Sequence, residues 1–150
     1  ATRAECHSGS KLLHPVVHLH IFNRAGDLLL QKRSLRKDIQ PGKWDTAVGG
    51  HVDYGESIDE ALRREVREEL GVTDFTPQLW RTYLFESKIE RELVYSFRTI
   101  YEGPFNPDPE ELDGCRFWKI AEIKEAIGKG ILTPNFEKEF ALFPAIKDVE

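Results

Sequence analysis

A helix is written into residues 58 to 70, and its register constrains the rest of the chain. Ser57 followed by Glu60 is a capping box, in which each side chain satisfies the other residue's orphaned backbone N–H, and Gly71 supplies the left-handed residue that ends a helix. At about 100° per residue, Ile58, Leu62, Val66 and Leu70 form one apolar stripe, while Glu65 and Glu69 fall beside Ile58 and Glu68 lies on the flank. Glu60, Arg63 and Arg67 point away, towards water. A charged run on a helix is usually a solvated face, which accounts for Glu60, Arg63 and Arg67. It does not account for Glu65 and Glu69, which share an arc with core residues. Carboxylates crowded at an apolar edge repel one another and resist ionisation unless cations compensate them. A hard divalent ion with oxygen ligands is the simplest compensation, and a diphosphate oxygen can complete its shell. Arg64 is placed to pair with Glu56 across the preceding loop, a structural role.

The pattern extends beyond the helix. From Gly50 the chain reads GHVDYGESIDEALRREVREELGV, which is G-x5-E-x7-R-E-U-x-E-E-x-G-U with U apolar. At average residue usage, a chance match to all of these fixed positions has a probability on the order of one in a billion. The stretch resembles the Nudix box, the signature of hydrolases that cleave a diphosphate linked to another moiety. That resemblance implies an α/β fold, a Nudix-type α/β/α sandwich with a mixed β-sheet.

With 150 residues, 40% of them hydrophobic, the chain is long enough for a single domain over residues 1–150 and short for two. The formal net charge of -5 repels a polyanion such as duplex DNA, so no nucleic acid polymer is expected as a partner. A small phosphorylated substrate bridged by metal is allowed. Cys6 and Cys115 are too few for a disulfide framework, and without an apolar leader or long apolar run the chain reads as soluble and cytoplasmic, with no membrane partner. Residue 1 is Ala and there is no Met, which points to a start upstream and a truncated first strand. A homodimer is compatible with the sequence.

In order along the chain, Val16 to Phe22 reads as a strand with Val17, Leu19 and Ile21 on one face and His18, His20 and Phe22 on the other. A turn around Gly26 leads to a second strand, Leu28 to Arg33, completing a hairpin. Lys43 to Gly49 is expected as a short strand, Phe75 to Lys88 and Leu93 to Glu102 as two more, and Gly103 to Gly114, rich in proline and acids, as a loop. Phe117 to Ile120 reads as a last strand, followed by helices from Ala121 to Gly128 and from Pro134 to about Phe143. Strands on both sides of a central helix, then terminal helices, suggest a mixed sheet between helical layers.

Features outside the box narrow the resemblance. The spacing of His7 and His14, the stretch LLLQKRSLRKDIQPGKW, His51 directly after Gly49-Gly50, and the pair in Ile89-Glu90-Arg91-Glu92 are similar to the isopentenyl-diphosphate isomerase branch of the same superfamily, over most of residues 3 to 136. In that branch the matching positions, His7, His14, His51, Glu90 and Glu92, bind a divalent metal. Arg3, Arg33, Lys37 and Arg64 are the implied diphosphate contacts. The chain departs from that branch at Gly49, where the isomerases carry a cysteine that takes part in proton transfer, and it keeps an intact box where theirs is eroded. The balance favours a hydrolase: Mg2+ or Mn2+ on Glu65, Glu68 and Glu69, and a glutamate as general base, Glu65 or Glu68 from the box or Glu92 from outside it. An isomerase-like enzyme and a non-catalytic nucleotide or phosphate sensor are the alternatives. Trp44, Tyr54, Phe85 and Trp118 are core residues or walls for the group beyond the diphosphate.

Overall fold

The computed structural model describes residues 13–35, 41–86, 91–110 and 112–143. The elements run β1 (Leu13–Phe22), β2 (Leu28–Arg33), β3 (Trp44–Thr46), β4 (Val48–His51), α1 (Ile58–Leu70), β5 (Gln78–Glu86), β6 (Arg91–Ile100), β7 (Leu112–Trp118), α2 (Ile120–Ala126) and α3 (Pro134–Ala141). The seven strands form one mixed sheet. In one half β1 pairs in parallel with β6 over its whole length and antiparallel with β4, and β5 closes the edge against β6. In the other half β2 pairs antiparallel with β3 and with β7, and the β1–β2 hairpin joins the two halves. A parallel pair cannot be joined by a tight turn, and α1 lies in the long crossover between β1 and β6.

The alternation read from β1 sorts its residues onto the two faces. Val17, Leu19 and Ile21 pack with Leu62, Val66 and Leu70 of α1, whereas Phe22 joins a second core with Trp118 of β7 and with Ile123 and Phe136 of the terminal helices. The result is an α/β/α sandwich. No helix among the described residues is long and apolar enough to cross a membrane.

Helix α1 has the expected bounds, and its caps explain why. Ser57 Oγ accepts from the Glu60 N–H at 3.1 Å, the Glu60 carboxylate accepts from the Ser57 N–H at 2.9 Å, and Gly71 at φ 67° sends its N–H to the Arg67 carbonyl. Replacing Ser57 by Ala removes the reciprocal bond and is expected to cost about 1 kcal/mol, read as a fall in Tm of about 2–4 °C by differential scanning calorimetry. An unchanged Tm would mean the cap is redundant.

Two expectations are corrected. Lys43 to Gly49 is not one strand: the chain crosses at Ala47 from pairing with β2 to pairing with β1, so β3 and β4 lie in different halves of the sheet. The loop drawn from Gly103 to Gly114 ends early, because Leu112 already pairs with Arg33. The β2–β7 register shifts between Gln31 and Arg33, with Gly114 at φ 117°, so a bulge absorbs the turn-like residues and the ladder overrides their local preference. The terminal helix α3 is fixed from two sides. The Thr133 N–H bonds the Trp44 carbonyl at 2.9 Å, and the Thr133 hydroxyl donates to Asp45 Oδ1 at 3.0 Å while accepting from Phe136 N–H.

Candidate functional site

The turn from β4 into α1 is held by Arg64. Its Nε donates to Glu56 at 2.7 Å and its Nη2 to the other Glu56 oxygen at 3.0 Å and to the His51 carbonyl at 3.1 Å. Its Nη1 donates to Glu65 at 2.8 Å and Glu68 at 3.2 Å. This fork lowers the Glu56 pKa below its ordinary value, the Arg64 hydrogen bonds being the main cause, and raises that of Arg64 through Glu56 and Glu65. The expected pairing of Arg64 with Glu56 is therefore present. With its donors spent on the protein, a diphosphate contact from Arg64 would have to displace one of them.

Arg64 also turns two box carboxylates towards a cavity of about 970 Å³, which Glu65, Glu68 and Glu69 line together. Glu69 accepts from Gln31 Nε2 at 3.2 Å, and the same amide reaches the Ala47 carbonyl at 3.3 Å, which ties the carboxylate to β2. Glu65 lies over Gly50 so closely that a Cβ there would stand 2.2 Å from its carboxyl carbon. Glycine at position 50 is thus a space requirement. Gly50→Ala is expected to push the flexible end of Glu65 aside, lowering turnover about 100-fold at a nearly unchanged Tm, since a 1 Å misplacement at a reacting centre has effects of that size. Full activity would show that the position of Glu65 does not matter.

The other wall of the cavity is built by strand pairing. Antiparallel register sets His51 of β4 opposite Val16, and parallel register sets Glu92 of β6 opposite His14 of β1. The rings of His14 and His51 stack with centroids 5.0 Å apart, and His51 Nε2 is 3.4 Å from Glu92 Oε2. Among the described residues His51 Nε2 is buried without a hydrogen-bond partner, and one ligand atom each from His14, His51 and Glu92 lie within 4.8 Å of one another, close enough that the three could hold a metal ion. The donor set of two imidazoles and one carboxylate suits a first-row divalent ion. Arg33 also lines the cavity, with Nη1 3.8 Å from Asp45. Arg3, His7, Lys37 and Glu90 lie outside the described residues. Of the four aromatic candidates only Phe85 lines the cavity; Tyr54 is fully exposed, and Trp44 and Trp118 pack on each other.

The structure adds a group that the sequence reading passed over. Glu139 of α3 is 1% exposed, and its carboxylate is surrounded by donors: His18 Nδ1 at 2.6 Å and the Tyr83 hydroxyl on Oε1, and His20 Nε2 and the Ser96 hydroxyl at 3.2 Å on Oε2. Burial would push the Glu139 carboxyl up, but the His20 and His18 imidazoles outweigh it and hold the carboxyl well below the usual range. Burial would lower the His18 pKa, and Glu139 outweighs that and raises it. Burial and the same carboxylate push the Tyr83 phenol up. A signal was available: Glu139 shares a helix arc with Phe136 and Phe143, as Glu65 and Glu69 share one with Ile58.

Comparison with known proteins follows this geometry. Residues 12–136 match the family profile described as NUDIX domain. The chain is 35% identical to an uncharacterized Nudix hydrolase of Pseudomonas aeruginosa over 65% of its own length and 57% of that protein. It is 34% identical to an isopentenyl-diphosphate Delta-isomerase of Mycolicibacterium vanbaalenii, over 75% of this chain and 65% of that one. It therefore spans under two thirds of the length of these curated relatives. Among solved structures, a MutT protein from Methanosarcina mazei superposes with a TM-score of 0.72 at 25% identity, covering 93% of this chain and 94% of that one.

Proposed function

The chain belongs to the Nudix family, and from that premise we propose that it is a metal-dependent hydrolase that cleaves the diphosphate linkage of a small organic diphosphate. The supporting observation is that the three box carboxylates line one cavity with His51 and Glu92, which His14 joins in a cluster of possible metal ligands. Glu65, Glu68 and Glu69 would hold one Mg2+ or Mn2+ ion. His14, His51 and Glu92 would hold a second, to which His7 and Glu90 are the further candidates. Bound there, such ions neutralise charge on phosphoryl oxygens and lower the pKa of the attacking water. Arg64 keeps Glu65 and Glu68 turned into the cavity throughout. Glu92, or Glu65 or Glu68, accepts the proton of the water that attacks phosphorus, and Arg33 pairs with the phosphate that leaves.

The test is a panel of nucleoside diphosphate sugars, dinucleoside polyphosphates, deoxynucleoside triphosphates and prenyl diphosphates, assayed for phosphate or monophosphate release with Mg2+, with Mn2+ and with EDTA. Release from one class that EDTA abolishes is the expected result. No release from any class with either metal would end the hydrolase reading. The His14, His51 and Glu92 cluster also favours a second reading, isomerisation of isopentenyl diphosphate, the substrate in the printed name of the Mycolicibacterium relative. Proton exchange of that compound in heavy water, followed by NMR, separates the two: hydrolysis without exchange rejects the isomerase.

A further inference from the structure

Glu139 collects four donors on one buried carboxylate, and two of the groups around it, His18 and Tyr83, line the cavity. His20 is fully buried, with Trp80 and Phe143 against its ring and its Nε2 on Glu139. The Tyr83 and Ser96 hydroxyls are neutral donors. Burial would lower the His18 pKa, but Glu139 outweighs it and raises it, and the His18 side chain, 23% exposed, lines the cavity. With Nδ1 on Glu139, the opposite edge of the His18 ring lies against Gly49: a Cβ built there would stand 3.3 Å from Cδ2 and 3.6 Å from Nε2. Position 49 has no side chain to cover that edge, so the Nε2–H of the protonated ring is left to the cavity, which His18 and Gly49 both line.

The surroundings of that N–H are polar. Asn135 and Lys138 of α3 also line the cavity, and the Lys138 ammonium lies 5.5 Å from the centre of the Phe85 ring, leaving Phe85 as one apolar face. Covering an imidazolium N–H with hydrocarbon forfeits its hydrogen bond to water and returns nothing, whereas an oxygen acceptor restores a charge-assisted bond. Resting on the reading of this cavity as a diphosphate site, we propose that His18 is a specificity-determining residue: its N–H, oriented by Glu139, donates to an oxygen of the group beyond the diphosphate. That group is a hydroxyl-bearing one, of the kind found in nucleoside diphosphate sugars, and not a prenyl tail. Phe85 packs on its carbon skeleton and Asn135 supplies a second polar contact.

The test measures binding, so it does not depend on turnover. In Ca2+, the probes are methylene diphosphonate alone, the methylene-bridged analogues of ADP-ribose and UDP-glucose, and the methylene-bridged analogue of isopentenyl diphosphate, titrated calorimetrically into the wild type and His18→Gln. At least one sugar-bearing analogue is expected to bind the wild type ten times tighter or more than the isopentenyl analogue. His18→Gln is expected to lose about 10- to 100-fold of that affinity, the range for one hydrogen bond to a charged group, with methylene diphosphonate unchanged. A second measurement, on wild-type protein labelled with 15N-histidine, avoids any folding defect of the variant: the His18 ring resonances shift with the sugar analogue and stay in place with methylene diphosphonate. An isopentenyl analogue that binds as tightly, a sugar preference that survives His18→Gln, binding of no analogue, or unmoved His18 resonances would each overturn the proposal. Binding with this selectivity but without phosphate release in the substrate panel would reject the hydrolase and keep the role of His18; turnover without the selectivity would do the reverse.

Discussion

Glu69→Gln lowers turnover about a thousandfold while the protein stays folded. The substitution keeps the size of the side chain and leaves an oxygen to accept from Gln31 Nε2, which lies 3.2 Å from the carboxylate. It removes one negative charge from the site proposed to hold doubly charged ions, and stabilisation of several kcal/mol in the transition state converts to about three powers of ten in rate. Because Leu62, Val66 and Leu70 carry the packing of α1, Tm should move little. Glu68→Gln is expected to act in the same direction, with less change in stability still, since the Glu68 side chain is 55% exposed. The measurements are kcat at saturating Mg2+ or Mn2+ and Tm for each variant. Full turnover in both would remove the carboxylate assignment on which the proposed function stands.

The largest stability effect belongs to Glu139. Glu139→Leu leaves His18, His20 and two hydroxyls facing a side chain that accepts nothing, and breaking a buried charged pair from one side costs about 3–5 kcal/mol. At about 2–4 °C per kcal/mol for a domain of this size, Tm falls by roughly 10 °C. The cost depends on pH with a sign that follows from the two shifts. The Glu139 carboxyl is lowered, so its contribution is present above the ordinary carboxylate value of 4.5 and is lost as pH falls through the folded value. The His18 imidazole is raised, so its contribution is complete below the ordinary 6.5 and is lost as pH rises through the folded value. The stability gap between wild type and Glu139→Leu is therefore widest between pH 4.5 and 6.5. Urea unfolding of both proteins at pH 4, 5.5 and 8 measures it. A gap that grows steadily from pH 5.5 to 8 would contradict an ion pair between His18 and Glu139.

Helix α1 and the strands that flank it were legible because the signals are local. Ser57, Glu60 and Gly71 act within one turn of the backbone they cap, and the alternation along β1 reports two packed faces without saying what packs on them. The division of Lys43 to Gly49 between β3 and β4 was not legible. Trp44 and Val48 are equally suited to a strand, and only the positions of β2 and β1 decide which neighbour each side takes. At Gly114 the local signal pointed the wrong way, because a bulge in a paired strand uses the same residue as a loop.

The sequence by itself determined the box helix, the arc on which Glu65 and Glu69 lie, and the family. Those follow from spacing along one segment, where helix geometry turns sequence distance into direction. Only the tertiary structure decided that parallel pairing of β1 with β6 sets His14 beside Glu92, and that α3, anchored through Thr133 to β3, carries Glu139 to His18 across 121 positions. A carboxylate so far along the chain has no local reason to meet a given imidazole. Strand register and helix docking bring them together, and both are set by the burial of apolar faces elsewhere in the molecule.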